Sequence, residues 1–492
     1  MIAATEPASA PRERPRIAIA GASGFVGEAL LDRLSSRFRI IGLTRSPARA
    51  AEPDHRDGVE WRHCDLFSVN QITAAIEGCE FAVYLVHSMM PSSRLTQANF
   101  IDLDLLLADN YARSCEAVGV RQILYVGGLM PSGGGLSDHL ASRLEVENTL
   151  ASRGVPVTAL RAGLIVGPGG SSTRILVNLV KRLAVMGLPK WCHSSTHPIA
   201  LRDLVQAVEE TLGHEEAIDQ QYDVGGRDVL TYRQMLEITA EELGVQRRMF
   251  NLPFIPPWFS LYWVQYISGS PQALVAPLVK SLKHAMVARD NPLLRRLQPE
   301  ALGFREALRA SLNESHTDLA PNPRRRIRRQ DDQELRRAKH VRSVQRMPLP
   351  PGRDARWVAR EYMRWLPQFV WPLMHCETDD VVVRFKLKAL DIVLLEMKLA
   401  PDWSRSDRQV FFITGGWLAE TRHNKRGRFE FREVLGGTML IAAIHDYQPR
   451  LPWYFYIFTQ AHVHMWVMNA FRRHLARMAP PEAESVPKFS AA

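Results

Sequence analysis

Three glycines near the start of the chain constrain its fold more than any other feature. An apolar run over residues 17–20 stops at Gly21, and further glycines follow at Gly24 and Gly27, inside an amphipathic segment that ends near residue 34. Gly21 permits a tight turn, Gly24 permits backbone to approach a phosphate closely, and Gly27 permits close packing of a helix on a strand. The pattern therefore predicts the strand–turn–helix unit that opens a dinucleotide-binding α/β fold.

The helix that follows these glycines predicts an anion site. Its first N–H groups lack intrahelical partners, and the positive end of its dipole faces the turn, so a diphosphate is favoured there. The predicted diphosphate-binding residues belong to the turn and to the first helical turn, and they are Gly21, Ser23, Gly24, Phe25, Val26 and Gly27. A tight turn that binds nothing is the alternative interpretation.

The end of the second predicted strand indicates which dinucleotide binds. The strand over 39–45 leads into Thr44, Arg45 and Ser46, and no acidic residue lies at this point. Folds that bind NAD usually place an acid here, because it accepts hydrogen bonds from the ribose 2′-hydroxyl. An arginine instead pairs with the 2′-phosphate of NADP, and a serine hydroxyl can donate to it. We predict NADP as the cofactor, with NAD as an alternative. The competing interpretation is that Arg45 is a solvated surface arginine without a role in cofactor binding.

Composition restricts the compartment and the partners. The net charge is +10, but ten of the 62 Lys and Arg residues fall within 324–346, so the rest of the chain is nearly balanced and does not indicate nucleic-acid binding. The five cysteines form no CxxC pair or disulfide framework, which favours a reducing cytoplasm. Residues 1–14 lack the apolar core of a signal peptide. We therefore expect a cytoplasmic protein with a disordered N-terminal tail.

The chain contains two uncharged segments, but neither one predicts a membrane-spanning helix. The segment 249–279 is interrupted by several prolines, and the segment 451–471 contains His462, His464 and Asn469. Neither offers a clean run of about 20 apolar residues. We expect buried or interfacial elements without transmembrane insertion, and peripheral membrane contact stays open.

Strand and helix patterns alternate through the first half of the chain. Strand-like runs cover 16–20, 39–45, 60–64, 81–87, 122–127 and 156–160, and helical patterns cover 69–77, 102–118 and 139–152. A late strand and helix follow over 222–226 and 231–243. Such alternation predicts an α/β fold with a doubly wound parallel sheet, a Rossmann fold.

The second half has a different texture. Strand-like runs over 381–387, 392–399, 409–415, 428–433 and 438–444 precede an apolar helical pattern over 452–478. Several antiparallel strands and one long helix predict a second, α+β domain of helix-grip type. Its curved sheet can enclose a cavity for an apolar molecule, lined by Phe411, Ile413, Trp417, Leu440, Trp453 and Trp466. The predicted organisation is a tail (1–14), a nucleotide-binding domain (15–245), a helical extension (246–312), a basic linker (313–352), the α+β domain (353–478) and a tail (479–492).

Further motifs make the first half resemble the extended or atypical short-chain dehydrogenase/reductases. They are Arg45, Asp65 after the third strand, the sequence LRAGLIVGPG over 160–169, and Asp203 at the end of the segment 197–203. The resemblance implies a Rossmann fold and an NAD(P) cofactor. The remaining predicted cofactor-binding residues are Asp65, Leu66, Val86, His87, Gly127 and Leu164.

The match extends into the second half. The segments 84–88, 125–129, 137–146, 430–433 and 451–453 resemble one bacterial subgroup of that family. Members of the subgroup join a reductase-like NAD(P)-binding domain to a C-terminal domain of START-like fold. The resemblance covers nearly the whole chain outside the tails and the linker, and it implies the fold and cofactor class rather than the substrate.

The catalytic pair of that family is altered in this chain. The family uses a Tyr followed four residues later by a Lys, whereas the matching helix begins with His139 and Arg143. The two residues lie one helical turn apart and share a face. Arg143 can hold ribose hydroxyls but cannot release its proton, whereas a histidine titrates near neutrality, so His139 is the predicted acid or base. Ser132 or Ser137 are candidates for the family's upstream hydroxyl, and a structural histidine is the alternative.

Three functions remain open from the sequence. The first is an NADPH-dependent reductase, or a related epimerase or dehydratase, acting on a small apolar or lipid-like carbonyl compound. The second is a protein that senses NADP(H) or assembles with partners without turnover, and the third is a lipid carrier with a vestigial reductase domain. We predict no metal site, because the histidine, cysteine and acidic residues lack metal-ligand spacing. The sequence does not determine the oligomeric state.

Overall fold

Two β-sheets organise the chain in the computed structural model, which describes residues 14–87, 96–131, 136–252, 282–320, 341–379, 381–421 and 426–479. The strands of the first part are β1 Arg16–Ala20, β2 Arg39–Thr44, β3 Val59–His63, β4 Phe81–Tyr84, β5 Thr96–Gln97, β6 Gln122–Gly128, β7 Val157–Ala162, β8 Ile165–Val166, β9 Val185–Leu188, β10 Ser195–Thr196, β11 Ile199–Ala200, β12 Gln221–Val224, β13 Leu230–Thr231 and β14 Arg248–Asn251. The strands of the second part are β15 Val341–Pro348, β16 Met374–Thr378, β17 Val382–Leu387, β18 Ile392–Leu399, β19 Arg408–Gly415, β20 Arg428–Val434 and β21 Met439–Tyr447.

Helices cover both faces of the first sheet and also pack against both faces of the second. In chain order they are α1 Phe25–Leu34, α2 Pro47–Ala51, α3 Val69–Ile76, α4 Phe100–Val118, α5 Asp138–Ala151, α6 Ser171–Arg182, α7 Leu201–Thr211, α8 Tyr232–Glu242, α9 Pro292–Leu297, α10 Phe304–Arg309, α11 Ala355–Phe369, α12 Trp453–Phe458 and α13 Gln460–Ala476. None of the helices in the described ranges is long and apolar enough to cross a membrane.

The first sheet is parallel and has the strand order β12-β7-β6-β4-β1-β2-β3. Its central strands are apolar on both faces, because α1 and α7 cover one face and α3, α4 and α5 cover the other. This arrangement confirms the doubly wound α/β fold that the alternating pattern predicts. The reversal of strand order between β1 and β4 opens a crevice at the carboxyl edge, where such sheets bind ligands.

The second sheet is antiparallel except at one edge, with the order β16-β17-β18-β19-β20-β21-β15-β5. Strand β15 pairs antiparallel with β21 and parallel with β5, which belongs to the first half of the chain. The linker interpretation of 313–352 is therefore wrong for residues 341–348. The high density of arginines suggests a solvated linker. In the structure, Arg342 and Arg346 are largely buried and form ion pairs with carboxylates of the parallel-sheet domain.

Strand β20 shows how the antiparallel sheet is buried on both faces. Phe429 and Phe431 pack into the core formed with α11 and α13. The alternate residues Arg428, Glu430 and Arg432 face the parallel-sheet domain, where Arg428 and Arg432 bond to groups of that domain. Side chains of a strand alternate between faces, so one strand serves both layers.

Helix α4 lies between the two sheets and is buried along almost its whole length. Tyr111 and Cys115 face the parallel sheet, whereas Leu103, Leu106 and Leu107 pack against apolar residues of the antiparallel sheet. A helix that is apolar around its circumference requires cover on all sides. The C-terminal sheet packs against the face of α4 that the parallel sheet does not contact.

Some of the residues predicted to line a cavity in the C-terminal domain are buried in its core, and others are exposed. Phe411, Ile413 and Leu440 belong to the packed core, whereas Trp417 and Trp466 are 52% and 55% exposed. The exposed tryptophans correct the prediction that they line an internal cavity, and the side chain of Trp453 lies outside the described part. The single predicted helix over 452–478 is two helices, because the backbone of Thr459 leaves the helical region at φ −122° and ψ −84°.

Parts of the predicted organisation fall outside the described residues. The segments 1–13 and 480–492, which contain most of both predicted tails, are among them, and so is 253–281 within the predicted helical extension. The described part of that extension contains β14, α9 and α10.

Candidate functional site

The turn after β1 has the geometry that the glycines predict. Gly21 has a φ of +88°, a conformation that side-chain-bearing residues rarely adopt. A Cβ atom at Gly27 would lie 2.3 Å from the carbonyl oxygen of Gly21, and one at Gly24 would lie 2.9 Å from the same oxygen. Because no side chain caps the start of α1, the first-turn N–H groups of Phe25 and Val26 are open to an anion. These features fit a diphosphate, and Ser23 lies exposed beside them.

The LRAGLIVGPG segment supports this turn from the side. A Cβ atom at Gly167 or Gly170 would lie 3.0 or 3.1 Å from the ring of Phe25, so the glycines let that ring pack closely. Leu164 precedes them and accepts a backbone hydrogen bond from Ile199 at 3.0 Å. The motif therefore links the first turn of α1 to the end of the crevice at β7 and β8.

The end of β2 presents one exposed arginine between two buried hydroxyl residues. Thr44 and Ser46 are buried and Arg45 is exposed. The Ser46 hydroxyl accepts from the N–H of Arg49 at 3.3 Å and caps α2, so its hydrogen remains for donation to a ligand. Arg49 is held by Asp54 at 3.0 Å, and Arg45 is the exposed arginine at this strand end.

Two histidines face each other at the carboxyl edge of the parallel sheet. His87, which follows β4 and Val86, bonds through Nδ1 to the carboxylate of Asp104 at 2.6 Å. Its ring centroid lies 5.2 Å from that of His139 on α5. Within the described ranges, Nε2 of His87 and both ring nitrogens of His139 are buried without a hydrogen-bond partner. Buried imidazole nitrogens of this kind are unusual in packed cores and indicate a ligand site.

Burial changes the acid–base behaviour expected of these histidines. Desolvation, with the positive charge of Arg143 adding to it, lowers the pKa of His139 to about 2. Burial and Arg143 also lower the pKa of His87, although Asp104 opposes them. The expectation that His139 titrates near neutrality is therefore wrong: its imidazole is neutral at pH 7 and offers one N–H donor and one acceptor.

Two neighbouring tyrosines donate hydrogen bonds to backbone carbonyl groups. Tyr111 donates to the carbonyl oxygens of Ala18 and Val83, both at 3.3 Å, and Tyr125 donates to the carbonyl oxygen of Arg143 at 3.2 Å. Burial raises the pKa of Tyr111 and of Tyr125. The hydroxyls of Tyr111 and Tyr125 are thus engaged by backbone carbonyls, whereas the hydroxyl of Tyr84 is buried without a hydrogen-bond partner in the described residues.

The side chain of Arg143 on α5 passes close to the end of β6. A Cβ atom at Gly128 would lie 3.9 Å from the Cγ of Arg143, so the arginine stem passes close to this glycine. A Cβ atom at Gly127 would lie 2.8 Å from the ring of Tyr125. Glycine is required there because the strand end approaches the tyrosine ring too closely for any side chain.

Two predicted cofactor-binding residues, Asp65 and Leu66, are engaged by other parts of the protein. The carboxylate of Asp65 forms an ion pair with Arg342 of β15, and one of its oxygens accepts from the N–H of Phe67 at 3.2 Å. The carbonyl oxygen of Leu66 accepts from the side-chain amide of Asn110 at 2.8 Å. Sequence reasoning missed Asp104, Asn110 and Arg342, because their partners are distant along the chain. The one signal available was the occurrence of polar residues inside the apolar run of α4.

A group of residues with metal-ligand chemistry lies elsewhere, at an exposed edge of the antiparallel sheet. It comprises His375, Glu377 and Asp391. The ammonium group of Lys386 lies 2.8 Å from Glu377 and 3.4 Å from Asp391, so a side-chain cation already neutralises the two carboxylates. This cluster is separate from the crevice.

Comparison with known proteins supports the nucleotide site. Residues 21–178 match a family described as NAD(P)H-binding. The fold and the glycine turn together define an NAD(P)H-binding α/β domain, which is followed by a separate antiparallel-sheet domain.

Individual relatives are distant. The chain is 26% identical over 115 residues to the auxiliary protein GraX of Staphylococcus aureus, covering 23% of this chain and only 37% of GraX. It is 24% identical over 253 residues to the uncharacterized chloroplastic protein At2g37660 of Arabidopsis thaliana, covering 46% of this chain and 74% of that protein. Among solved structures, the NADPH complex of the quinone oxidoreductase QOR2 of Escherichia coli shares 19% identity at a TM-score of 0.48, covering 60% of this chain and all of QOR2.

Proposed function

We propose that the protein is an NADP(H)-dependent reductase that acts on a small apolar carbonyl compound. The observation that carries the proposal is the buried His87–His139 pair at the crevice, with ring nitrogens that no described residue engages. Active sites are where polar groups are left unsatisfied for a substrate to complete. The apolar surroundings favour an uncharged substrate, since a charged one would lose its hydration there.

The chain offers a place for each part of the cofactor. The diphosphate would lie at the start of α1, and the 2′-phosphate would lie at Arg45 and the Ser46 hydroxyl. The nicotinamide would lie near Val86, His87, Gly127 and Leu164, with Arg143 holding ribose hydroxyls. Support for this placement comes from the reversal of strand order between β1 and β4, the point at which sheets of this kind bind ligands.

The acid–base role follows from neutral histidines. A bound reduced nicotinamide supplies the hydride that adds to the carbonyl carbon. The N–H of His139 donates a hydrogen bond to the carbonyl oxygen, and the Arg143 charge favours the negative charge that develops there. The oxygen takes the N–H proton of His139, and water returns a proton to the other ring nitrogen of His139, so the imidazole stays neutral. His87, held through Nδ1 by Asp104, packs beside the His139 ring and positions it. The product alcohol therefore gains one hydride and one proton.

A C-terminal role in substrate delivery is part of the proposal. Trp466 packs against Phe369 with ring centroids 4.6 Å apart while remaining half-exposed, and Trp371 and Phe458 nearby in sequence are 70% and 78% exposed. Exposed aromatic surface of this kind binds apolar molecules. Native mass spectrometry of the protein purified from cells tests this role: a retained lipid-like molecule supports it, and its absence together with no binding of a hydrophobic fluorescent probe contradicts it.

Turnover of a carbonyl panel tests the reductase function. We expect NADPH oxidation at 340 nm to accelerate with at least one apolar quinone or enone, and we expect His139→Ala to reduce that acceleration by about a hundred- to a thousandfold without loss of NADPH binding. The second candidate is a protein that senses NADP(H) without turnover. The neutral His139 and the missing Tyr–Lys pair favour it, and tight NADPH binding with no reduction of any panel member would establish it in place of the first.

The cofactor preference gives a separate prediction at Arg45. We expect the protein to bind NADPH more tightly than NADH by about ten- to a hundredfold, because a charge-assisted bond to the 2′-phosphate contributes about 1.5–3 kcal/mol. Arg45→Ala should remove most of the difference in a fluorescence titration with both cofactors. Arg49→Ala is the matched control, since Arg49 is already tied to Asp54. Equal affinities of the parent for both cofactors would contradict the assignment.

A further inference from the structure

Side chains of the antiparallel sheet hold the loop between β3 and α3, which we call the 65–67 loop. Arg342 of β15 forms an ion pair with Asp65, and its guanidinium carbon lies 4.1 Å from the centroid of the Phe67 ring. Arg428 of β20 donates through Nη2 to the carbonyl oxygen of Phe67 at 2.8 Å. Two arginines from one domain therefore hold a carboxylate, a ring and a carbonyl of the other.

The same sheet also reaches the loop through α4. Asn110 donates its amide to the carbonyl oxygen of Leu66 at 2.8 Å, and its own side-chain oxygen accepts from Arg432 of β20. The carbonyl groups of Leu66 and Phe67 are both satisfied in this way. Three consecutive residues of the 65–67 loop thus take their polar contacts from the C-terminal sheet, either directly or through one intermediate side chain.

These arginines are themselves fixed in place. Arg428 bonds to Asp446 of β21 at 3.0 Å, and Arg342 also approaches Asp446 at 3.4 Å. The side chains of Arg342 and Arg428 are only 13% and 6% exposed. An ion pair with buried, preorganised partners constrains geometry far more than a mobile surface pair does. One oxygen of the Asp65 carboxylate is consequently held by the C-terminal domain, and the other accepts from the N–H of Phe67.

We propose that the C-terminal sheet is part of the cofactor site, with Arg342 and Arg428 as positioning residues for its adenosine end. This inference rests on the proposed cofactor site. The 65–67 loop follows β3, whose His63 pairs with Thr44 at the end of β2, so Asp65 and Leu66 lie beside the proposed 2′-phosphate position and would contact the adenosine. The sheet shapes the loop, and the loop contacts the adenosine, so affinity for that half of the cofactor depends on how the two domains dock. The nicotinamide end, formed by Gly127 and Leu164, has none of these contacts.

Binding of cofactor halves to the full-length protein tests the proposal. We expect Arg342→Gln to weaken NADPH and 2′,5′-ADP by about the same factor, on the order of tenfold, and to leave reduced nicotinamide mononucleotide unchanged. Arg342→Lys should recover part of the loss, because it keeps the charge next to Asp65. The matched control is Arg346→Gln, which removes a buried arginine of the same strand that pairs with Asp102 and Glu145 instead of the loop.

The outcomes separate this proposal from the proposed function. Failure of the parent protein to bind NADPH would overturn the cofactor site and this inference with it. Binding by the parent and by Arg342→Gln with equal affinity would overturn this inference alone, and so would equal losses in Arg342→Gln and Arg346→Gln. If Arg342→Gln does not fold, Phe67→Leu, which removes only the ring beneath Arg342, should give the same selective loss of 2′,5′-ADP affinity, and unchanged affinity would overturn the inference.

Discussion

Replacing His139 by alanine is expected to lower the rate of carbonyl reduction by about a hundred- to a thousandfold, with little change in NADPH affinity. The effect resembles the loss of one preorganised donor to a developing oxyanion, which costs about 2.7–4 kcal/mol of transition-state stabilisation. Because burial holds the pKa of His139 near 2, its protonation should not shape the pH–rate profile between pH 5 and 8. Steady-state kinetics across that range measures both properties.

A conservative variant separates hydrogen-bond donation from simple loss of volume. His139→Asn keeps an N–H donor at a similar distance from the backbone, so it should retain more activity than His139→Ala. His87→Asn should keep the fold and lower the rate less than His139→Ala does, because His87 positions the His139 ring without giving it a proton. Parental activity in His139→Ala would show that another group or solvent serves the carbonyl oxygen.

Replacing Arg432 by leucine is expected to destabilise the docked C-terminal domain by about 3–5 kcal/mol. Arg432 is 1% exposed and lies between the two domains, 2.8 Å from Asp109 of α4 and 2.7 Å through Nε from Glu430. Burial alone would raise the pKa of both acids, but the arginines around them hold the pKa of each below its usual value. Removing Arg432 leaves part of that negative charge buried without a partner, which is why the expected cost is large.

Chemical denaturation followed by tryptophan fluorescence measures this effect. Arg384→Leu is the control, because Arg384 pairs with Glu396 at 2.7 Å at the surface of the same sheet, where loss of an ion pair costs about 1 kcal/mol or less. Equal midpoints for the two variants would show that the interdomain charges do not hold the domains together.

The C-terminal motif at 430–433 gains a physical meaning from these contacts. In the sequence, Glu430 and Arg432 support only a resemblance. In the structure they alternate with Phe431, which packs into the core with α11 and α13. Glu433 accepts from the first N–H of α11 at 2.9 Å and so orients that helix. The motif therefore serves domain docking and helix placement, and none of its residues lies at the histidine pair.

The sequence by itself determined the parallel-sheet fold and the phosphate-binding turn. Both depend on short-range rules: the spacing of Gly21, Gly24 and Gly27 fixes a turn, and alternating strand and helix periods fix a doubly wound sheet. The exposed position of Arg45 at the end of β2 follows from the same local order. Predicted and observed strand bounds differ by a few residues, because fraying ends carry no pattern of their own.

Only the tertiary structure decided the chemistry of the site and the union of the domains. The neutral state of His139 depends on burial and on Arg143, and the partner of His87 is Asp104, 17 residues away. The sequence suggests that Arg342 belongs to a solvated basic segment. In the structure it forms an ion pair with Asp65, which is 277 residues away along the chain. Charge and polarity are visible in a sequence, but desolvation and pairing are set by what the fold brings near, and that is why these features could not be read from local patterns.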